Sequence, residues 1–372
     1  MTAASGILFV LSTLEVGGSE SKIVGVANAL SQSGTHAEIA YLNPPDTLIG
    51  RIDPTVRITH LERRGKYSLH SLQRLRHLIG QLNHVVVAVN LYPLLYVLPA
   101  LKLQRHQPGR TVGLVNTVTL RGRQRLLGEV YAPFLRRCDR IVFGCAVQRE
   151  HWTQMFRLPS QRTSFIYNGV DHERFDPAVN APVTQHLRRE VGIPDGAVVL
   201  GSVGRLAPEK SFDLLIATLA QLRSRGRDAF LVLVGQGQER AKLEELAIRH
   251  RVADRVKFLG LLDDVRPALA IMDVFVLPSS DVETFSNAAL EAMSMGRAVV
   301  LSNLGGAAEM VVNGDSGLLF EVGDQEALVN TLERLLDSSD LRARLGRAAR
   351  HRVLERLRFT EMVERYRELL IV

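Results

Sequence analysis

Glu283-Thr284-Phe285-Ser286-Asn287-Ala288-Ala289-Leu290-Glu291 follows the apolar run 274–277 and the turn Pro278-Ser279-Ser280. The order is strand, turn, acidic loop, helix. A strand of this kind ends in the crevice where open α/β sheets take their ligands. Glu283 is therefore expected in the crevice mouth and Glu291 on the first turns of the helix. Backbone amides at a helix start, here around Ser286 to Ala288, suit a phosphate. Carboxylates beside them would accept hydrogen bonds from hydroxyls instead. A polyhydroxylated phosphate ester, such as a nucleotide sugar, meets both demands. The plain alternative is a helix start that carries favourable acidic residues and nothing more; the rest of the chain decides between the two.

Apolar β-type runs alternate with helical patterns throughout, which argues for parallel sheets and an α/β fold. In the first half they are 7–11, 37–42, 85–89, 112–115, 140–143 and 164–166. In the second they are 198–203, 230–234, 256–259, 274–277, 298–301 and 317–320. Each set suffices for one doubly wound sheet, and 372 residues exceed one ordinary core. The expected division is a Rossmann-like domain over 1–170, a linker over 171–185 without periodicity, a second Rossmann-like domain over 186–350 and a C-terminal helix over 351–372. The two domains are expected to face each other across a cleft that encloses a ligand when they close. Residues 85–101 are apolar but interrupted by Asn90, Pro93 and Pro99. They are too short and too broken to span a bilayer and read as a strand, a turn and an apolar helix.

Composition is that of a soluble globular protein, with 46% apolar and 23% charged residues. Two cysteines, Cys138 and Cys145, are too few for a disulfide framework and lack metal-ligand spacing. The expected setting is a reducing cytoplasm; the apolar start 7–11 is short, has no basic region before it and does not read as a secretory signal. The net charge of +7 is uneven: residues 1–170 carry 20 Lys/Arg against 9 Asp/Glu, and the remainder 26 against 30. Within the basic half, Arg121, Arg123, Arg125, Arg136, Arg137 and Arg140 share a segment with Leu126, Leu127, Val130, Tyr131 and Phe134. That pattern reads as a basic amphipathic helix, suited to an anionic membrane surface or a phosphorylated acceptor, with a solvated helix face as the alternative. Nucleic acid is not expected, because the aromatics do not interleave with the basic residues in a stacking pattern.

Gly201 to Lys210 ends one strand and opens a helix. Gly204 would let the backbone approach a ligand closely, and Arg205 and Lys210 would project into the same crevice. One forked and one point-like cation suit a diphosphate leaving group. Gly235-Gln236-Gly237 also follows a strand, but Arg240 stands where the dinucleotide fingerprint has its third glycine. No Walker A sequence occurs, and no Asp-x-Asp that would clamp a metal on the diphosphate. Gly17-Gly18 lies in the first βα loop, where small residues admit a ligand closely.

Together these pieces resemble the retaining glycosyltransferases of family 4, which have the two-domain GT-B fold. The resemblance rests on Gly17-Gly18-Ser19-Glu20, Asn168-Gly169-Val170-Asp171 with Phe175, Gly204-Arg205-Leu206 with Glu209-Lys210, Gly235-Gln236-Gly237, the stretch from Glu283 to Glu291, Gly305-Gly306 with Glu309, and Asn313-Gly314 with Gly317-Leu318-Leu319. It implies that Arg205 and Lys210 hold the donor diphosphate, that Glu291 binds the ribose hydroxyls, and that Glu283 touches the donor-sugar hydroxyls and steadies the reacting ring. It implies further that amides near Thr284, Phe285, Ser286 and Asn287 hold sugar and phosphate, and that Gly17 and Gly18 close on the donor. By the same resemblance the C-terminal helix returns to brace the N-terminal domain.

Two departures stand out. Relatives often have Gly-Phe-Gly or Gly-Phe-Pro after the first Glu, where this chain has Thr284-Phe285-Ser286. They often have a His after the strand at 112–115, where Asn116-Thr117 stands here, and His84 at a strand start is no obvious substitute. Asn116 can hydrogen-bond a donor hydroxyl but cannot act as a base. A retaining transfer needs none if the departing phosphate oxygen takes the acceptor proton, so positioning and charge stabilisation would carry the reaction. The expected donor is a nucleotide-diphosphate sugar, uridine favoured by the family's habits and guanosine the alternative, with no cofactor required. The expected acceptor is a lipid-linked or saccharide intermediate of the cell envelope, met by an enzyme that is cytoplasmic or peripheral at the inner face of the membrane. Rival readings are a nucleotide-sugar epimerase of the same architecture, a non-catalytic nucleotide-sugar-binding subunit, and a transferase acting on small soluble sugars.

Overall fold

The computed structural model describes residues 6–65, 68–81, 84–104, 109–116, 123–281 and 283–371. The chain folds into two compact units: residues 1–168 with 361–372, and residues 169–360.

The first unit carries a seven-stranded parallel sheet of β1 (Gly6–Leu11), β2 (Ala37–Tyr41), β3 (Arg57–His60), β4 (His84–Val89), β5 (Thr111–Val115), β6 (Arg140–Phe143) and β7 (Thr163–Phe165). Their order across the sheet is β3-β2-β1-β4-β5-β6-β7. β1, β2 and β5 are buried along their whole length because helices cover both faces. Leu8, Val10, Val86, Ala88, Val115, Phe143 and Trp152 belong to the core that results. Residues 85–101 fall on β4 and the helix Leu94–Lys102, with Asn90 and Pro93 in the turn between them and Pro99 inside the helix. Among the described residues, no helix is long and apolar enough to cross a membrane.

The second unit carries a six-stranded parallel sheet of β8 (Val199–Val203), β9 (Phe230–Val234), β10 (Val256–Gly260), β11 (Val274–Leu277), β12 (Ala298–Ser302) and β13 (Leu318–Phe320), in the order β10-β9-β8-β11-β12-β13. Leu200, Leu231, Val274, Val300, Leu328 and Leu332 belong to its core. In both sheets the first strand lies between the second and the fourth. This is the doubly wound arrangement, and its crevice opens where the order reverses, at β1/β4 and at β8/β11.

Three sequence expectations need correction. β3 is not among the expected strands: it is four residues long, sits at the sheet edge and buries no residue fully. The span 171–185 is not an unstructured linker. It lies in the second unit, and Asp176 caps a helix over Pro177–Glu190 by accepting from the Ala178 amide. Arg350 pairs with Asp176 and so ties this helix start to the helix Ser339–Arg356. The basic segment is not one helix either. The helix covers Arg123–Leu135, Arg136 and Arg137 follow it, and Arg140 opens β6. Arg121, and the side chains of Arg123, Arg125 and Leu127, lie outside the described residues.

At the entry to the second unit, the Val170 amide donates to Leu357 O and the Phe359 amide to Val170 O. A Cβ on Gly169 would stand 2.4 Å from Arg358 O, so only glycine lets these two strands of chain lie side by side.

Candidate functional site

In the second unit the candidates gather at the C-terminal ends of β8 and β11. Gly204 and Arg205 follow β8, and a short 3₁₀ turn, Pro208–Lys210, carries Lys210. Glu283 follows β11, and Ser286 caps the helix Asn287–Ser294 by accepting from the Ala289 amide at 3.3 Å. The two segments are 73 residues apart in sequence, yet Lys210 Nζ and Glu283 Oε2 lie at 2.6 Å. Both side chains are mostly shielded, at 19% and 15% exposure, so this ion pair is less screened than a surface one. Ser279 Oγ donates to the same carboxylate oxygen at 3.1 Å. Ser280 ties the two segments further, its amide donating to Glu209 O and its hydroxyl meeting that of Ser211 at 2.6 Å.

Close backbone contacts hold this crevice in shape. The Gly204 amide donates to Val234 O and the Leu206 amide to Gln236 O. A Cβ on Gly235, whose φ is +134, would fall 1.9 Å from Gly204 O, and one on Gly237 would fall 2.1 Å from Leu206 O. The glycines after β9, a weak signal in the sequence, are therefore what lets the two loops touch. Gly204 itself is less constrained: a Cβ there would meet Phe212 and Lys210 only at 3.5 Å and beyond. On the other side, a Cβ on Gly305 would fall 2.0 Å from Glu283 O, and the Gly306 amide donates to Thr284 O. The second glycine pair thus props the acidic loop from beneath.

Not every expected residue joins the cluster. Arg205 is 73% exposed and pairs with Glu209 at 2.6 Å rather than with Glu283. Phe285 is buried and packs its ring into the core. Ser286 spends its hydroxyl on the helix cap. Asn287 and Thr284 flank it on the helix start and the loop. Glu291 sits on the second turn of the helix, within the first turns expected for it. Loss of solvent pushes its carboxyl up to about 7, with Arg174 pulling it down and Asp264 pushing it up. Among the described residues, its carboxylate receives no side-chain or backbone hydrogen bond. Ser279 and Arg174 carry no motif signal; Arg174 stands in the segment expected to be a linker.

In the first unit, Gly17 caps and Gly18 opens the helix Gly18–Gln32 directly after the β1 loop. A Cβ on Gly17 would meet the Glu20 carboxylate at 2.6 Å. Asn116 follows β5 and accepts a hydrogen bond from Lys22 Nζ at 2.7 Å. Thr117 lies outside the described residues. Among the described residues, no three His, Cys, Asp or Glu side chains are placed to hold a metal ion. Both cysteines are buried thiols outside any disulfide.

A shallow hollow of about 520 Å³ elsewhere on the second unit is lined by Asp315, Arg344, Arg347, His351 and Glu355, among others. Its walls mix both signs of charge and include none of the candidates above.

Comparison with known proteins bears on both units. A model described as Glycosyltransferase Family 4 matches residues 16–174, and one described as Glycosyl transferases group 1 matches residues 183–352. The chain is 33% identical over 183 residues to the lipopolysaccharide core biosynthesis glycosyltransferase LpsE of Rhizobium meliloti, covering 49% of this chain and 52% of that protein. It is 32% identical over 240 residues to the GDP-mannose-dependent α-(1-6)-phosphatidylinositol monomannoside mannosyltransferase of Mycolicibacterium smegmatis, covering 62% of each. The chain thus spans about half the length of the first of these relatives. Among solved structures, HepE of Anabaena in complex with UDP superposes with a TM-score of 0.85 at 21% identity, over 98% of this chain and 99% of that one. WaaG, a glycosyltransferase of lipopolysaccharide biosynthesis, superposes with a TM-score of 0.76 at 20% identity, over 98% and 99%. These structural likenesses establish the fold.

Proposed function

The chain belongs to glycosyltransferase family 4 and has the GT-B fold, and from that premise we propose that it transfers a sugar, with retention of configuration, from a nucleotide-diphosphate sugar to an acceptor. The observation that carries the proposal is the paired Lys210 and Glu283 at the β8/β11 strand ends, with Glu291 shielded nearby on the following helix.

A donor brings a diphosphate and two sets of hydroxyls. Lys210 and Arg205 would neutralise the charge that grows on the diphosphate as the glycosidic bond breaks. Glu283, released from Lys210 by the phosphate, would accept from hydroxyls of the transferred sugar, while Glu291 would accept from those of the ribose. Amides from Thr284 to Asn287 would add donors to the phosphate or sugar oxygens. Gly17, Gly18 and Asn116 are proposed to contact substrate from the strand-end crevice of the first unit. No protein base is required, because the departing phosphate oxygen can take the acceptor proton as the acceptor oxygen attacks from the same face.

The proposed donor carries uridine or guanosine. HepE was solved with UDP, and the Mycolicibacterium relative is named for GDP-mannose. The proposed acceptor is lipid-linked or an envelope saccharide, in keeping with the names of both curated relatives. The basic first unit fits peripheral contact with anionic lipid. On the helix Arg123–Leu135, Leu126 and Val130 stand four residues apart and are 67% and 58% exposed. The relatives are transferases by name, so the epimerase alternative has no support.

A calorimetric and thermal-shift screen of UDP, GDP and their sugars, with and without magnesium, tests the donor. One nucleotide should stabilise the wild type and not Glu291→Ala. If none stabilises the wild type, the donor site has been assigned wrongly.

A further inference from the structure

The first unit holds a buried lysine for which the transfer chemistry above has no use. Lys22 lies on the helix Gly18–Gln32, and its side chain is 8% exposed. Its ammonium donates to Asn116 Oδ1 at 2.7 Å, and Asn116 Nδ2 donates to Asn90 Oδ1 at 3.2 Å. Asn90 follows β4 and Asn116 follows β5. Asn90 adopts the left-handed backbone conformation, with φ 67, and its amide is anchored on Leu114 O. The helix that carries Lys22 follows β1 after the loop 12–17. The row Lys22, Asn116, Asn90 therefore lies at the strand ends around β1/β4, the point where the strand order of this sheet reverses and where open α/β sheets take ligands.

What the cluster lacks is negative charge in contact. Among the described residues no carboxylate pairs with Lys22, and its hydrogen-bond partner is a neutral amide. Glu20 is the charged group that acts on it, through space, and Glu15 in turn faces Glu20. An ammonium has three donors and is expensive to bury without a counter-charge. Loss of solvent lowers Lys22 to about 8, which still leaves it mostly charged at neutral pH. An apolar residue buried at this position would carry no such cost. An anion arriving from solution would complete the site.

We propose that Lys22, held by Asn116 and Asn90, forms an oxyanion subsite of the first unit that takes a phosphate or carboxylate oxygen of a substrate. Lys22 supplies the charge. Asn116 fixes the direction of the ammonium, and Asn90 fixes Asn116. The excess of basic residues in this half of the chain draws anions towards it. The proposal rests on the transferase reading only for what the substrate is.

Titration calorimetry of the full chain tests it, with inorganic phosphate, glycerol 3-phosphate, UDP and GDP as probes. The titrations run at pH 8.5 in two buffers of different ionisation enthalpy, on wild type, Lys22→Met and Lys22→Gln. Bound anion raises Lys22 above its free value, so binding to wild type should take up protons. At this pH Glu291 is already ionised and contributes none. At least one anion should bind wild type with uptake and bind both variants at least about tenfold more weakly without it. Uptake with phosphate or glycerol 3-phosphate assigns the subsite to the acceptor; uptake with UDP or GDP alone assigns it to the donor diphosphate. Equal binding to all three proteins, absence of uptake by wild type, or no binding of any probe to wild type overturns the proposal. The uptake measurement needs only wild type, so a variant that fails to fold does not rescue it. UDP binding that is lost in Glu291→Ala, with no probe bound more weakly by the Lys22 variants, would sink this subsite and leave the transferase reading standing. Phosphate uptake at Lys22 with no nucleotide binding would do the reverse.

Discussion

Replacing Glu291 by glutamine removes a charge and keeps the side chain's shape, and its effect on stability follows from where the carboxyl sits. Desolvation raises it from an ordinary 4.5 to about 7, against the pull of Arg174. Between those values the folded chain holds a proton that the unfolded chain has released. Stability contributed by this group is therefore lost as pH rises from about 4.5 to 7, and stays lost above 7. The full loss is about 3 kcal/mol. Glutamine cannot ionise, so Glu291→Gln should exceed wild type by less than about 1 kcal/mol at pH 5 and by up to about 3 kcal/mol at pH 8. For a unit of this size that is about 6–12 °C in Tm. Far-UV circular dichroism melts at pH 5, 6, 7 and 8 measure it. The same variant should bind nucleotide poorly, because hydroxyl donors are best received by an ionised carboxylate. Wild-type affinity should accordingly rise with pH through about 7, and that dependence should vanish in Glu291→Gln. A variant that is more stable but binds less is the mark of a residue kept for its ligand. An equal stability change at pH 5 and pH 8, or a variant less stable at pH 8, would refute the reasoning.

Other perturbations have equally definite outcomes. Lys210→Ala should lower kcat/KM about 10²–10³-fold once donor and acceptor are known, through loss of a cation at the leaving group; full retention would remove Lys210 from the mechanism. Gly235→Ala forces a Cβ to within 1.9 Å of Gly204 O at φ +134 and should cost more than about 2 kcal/mol in urea unfolding, whereas Gly314→Ala, at φ +84 with open space around it, should cost less. Lys22→Met should stabilise the first unit by at most about 3 kcal/mol below pH 8, followed by fluorescence of the single tryptophan, Trp152; the gain should fade as pH rises from about 8 through 10.5, above which wild-type lysine is neutral in both states. Val130→Asp should weaken sedimentation with anionic vesicles at low salt, and an unchanged result would remove the helix Arg123–Leu135 from any membrane role.

Much of the architecture is legible because a strand covered on both faces must be apolar along its whole length, and such runs are visible without any partner in view. β3 is not, since an edge strand such as Arg57-Ile58-Thr59-His60 needs little burial. The stretch that reads as a linker fails for a related reason. Asp171 to Asp176 is a turn stabilised by its own side chains, with Asp171 Oδ1 receiving the amides of Glu173 and Arg174, and such a turn leaves no periodic trace. Charge spacing misleads in the basic segment, where the described arginines from Arg123 to Arg140 span a helix, a turn and a strand start.

The candidate site is legible residue by residue but not as a set of partnerships. Sequence spacing says that Lys210 and Glu283 each follow a strand; only the order β9-β8-β11 makes those strands neighbours and brings the charges to 2.6 Å. The partnership then separates the two carboxylates of one nine-residue stretch. Glu283 has a cation and a serine hydroxyl on it already, so a ligand reaches it by exchange, a phosphate taking Lys210 while a hydroxyl takes Glu283. Such an exchange swaps one paired charge for another and leaves neither side chain unpaired in a shielded site. Among the described residues Glu291 has no hydrogen-bonded partner, Arg174 acting on it only through space, and burial holds it in the more weakly charged state until hydroxyls arrive. One carboxylate is thus coupled to the diphosphate through Lys210, and the other answers to hydroxyls alone. A ligand carrying both groups on one molecule would engage the two together, and one carrying either group alone would leave half of the site unused.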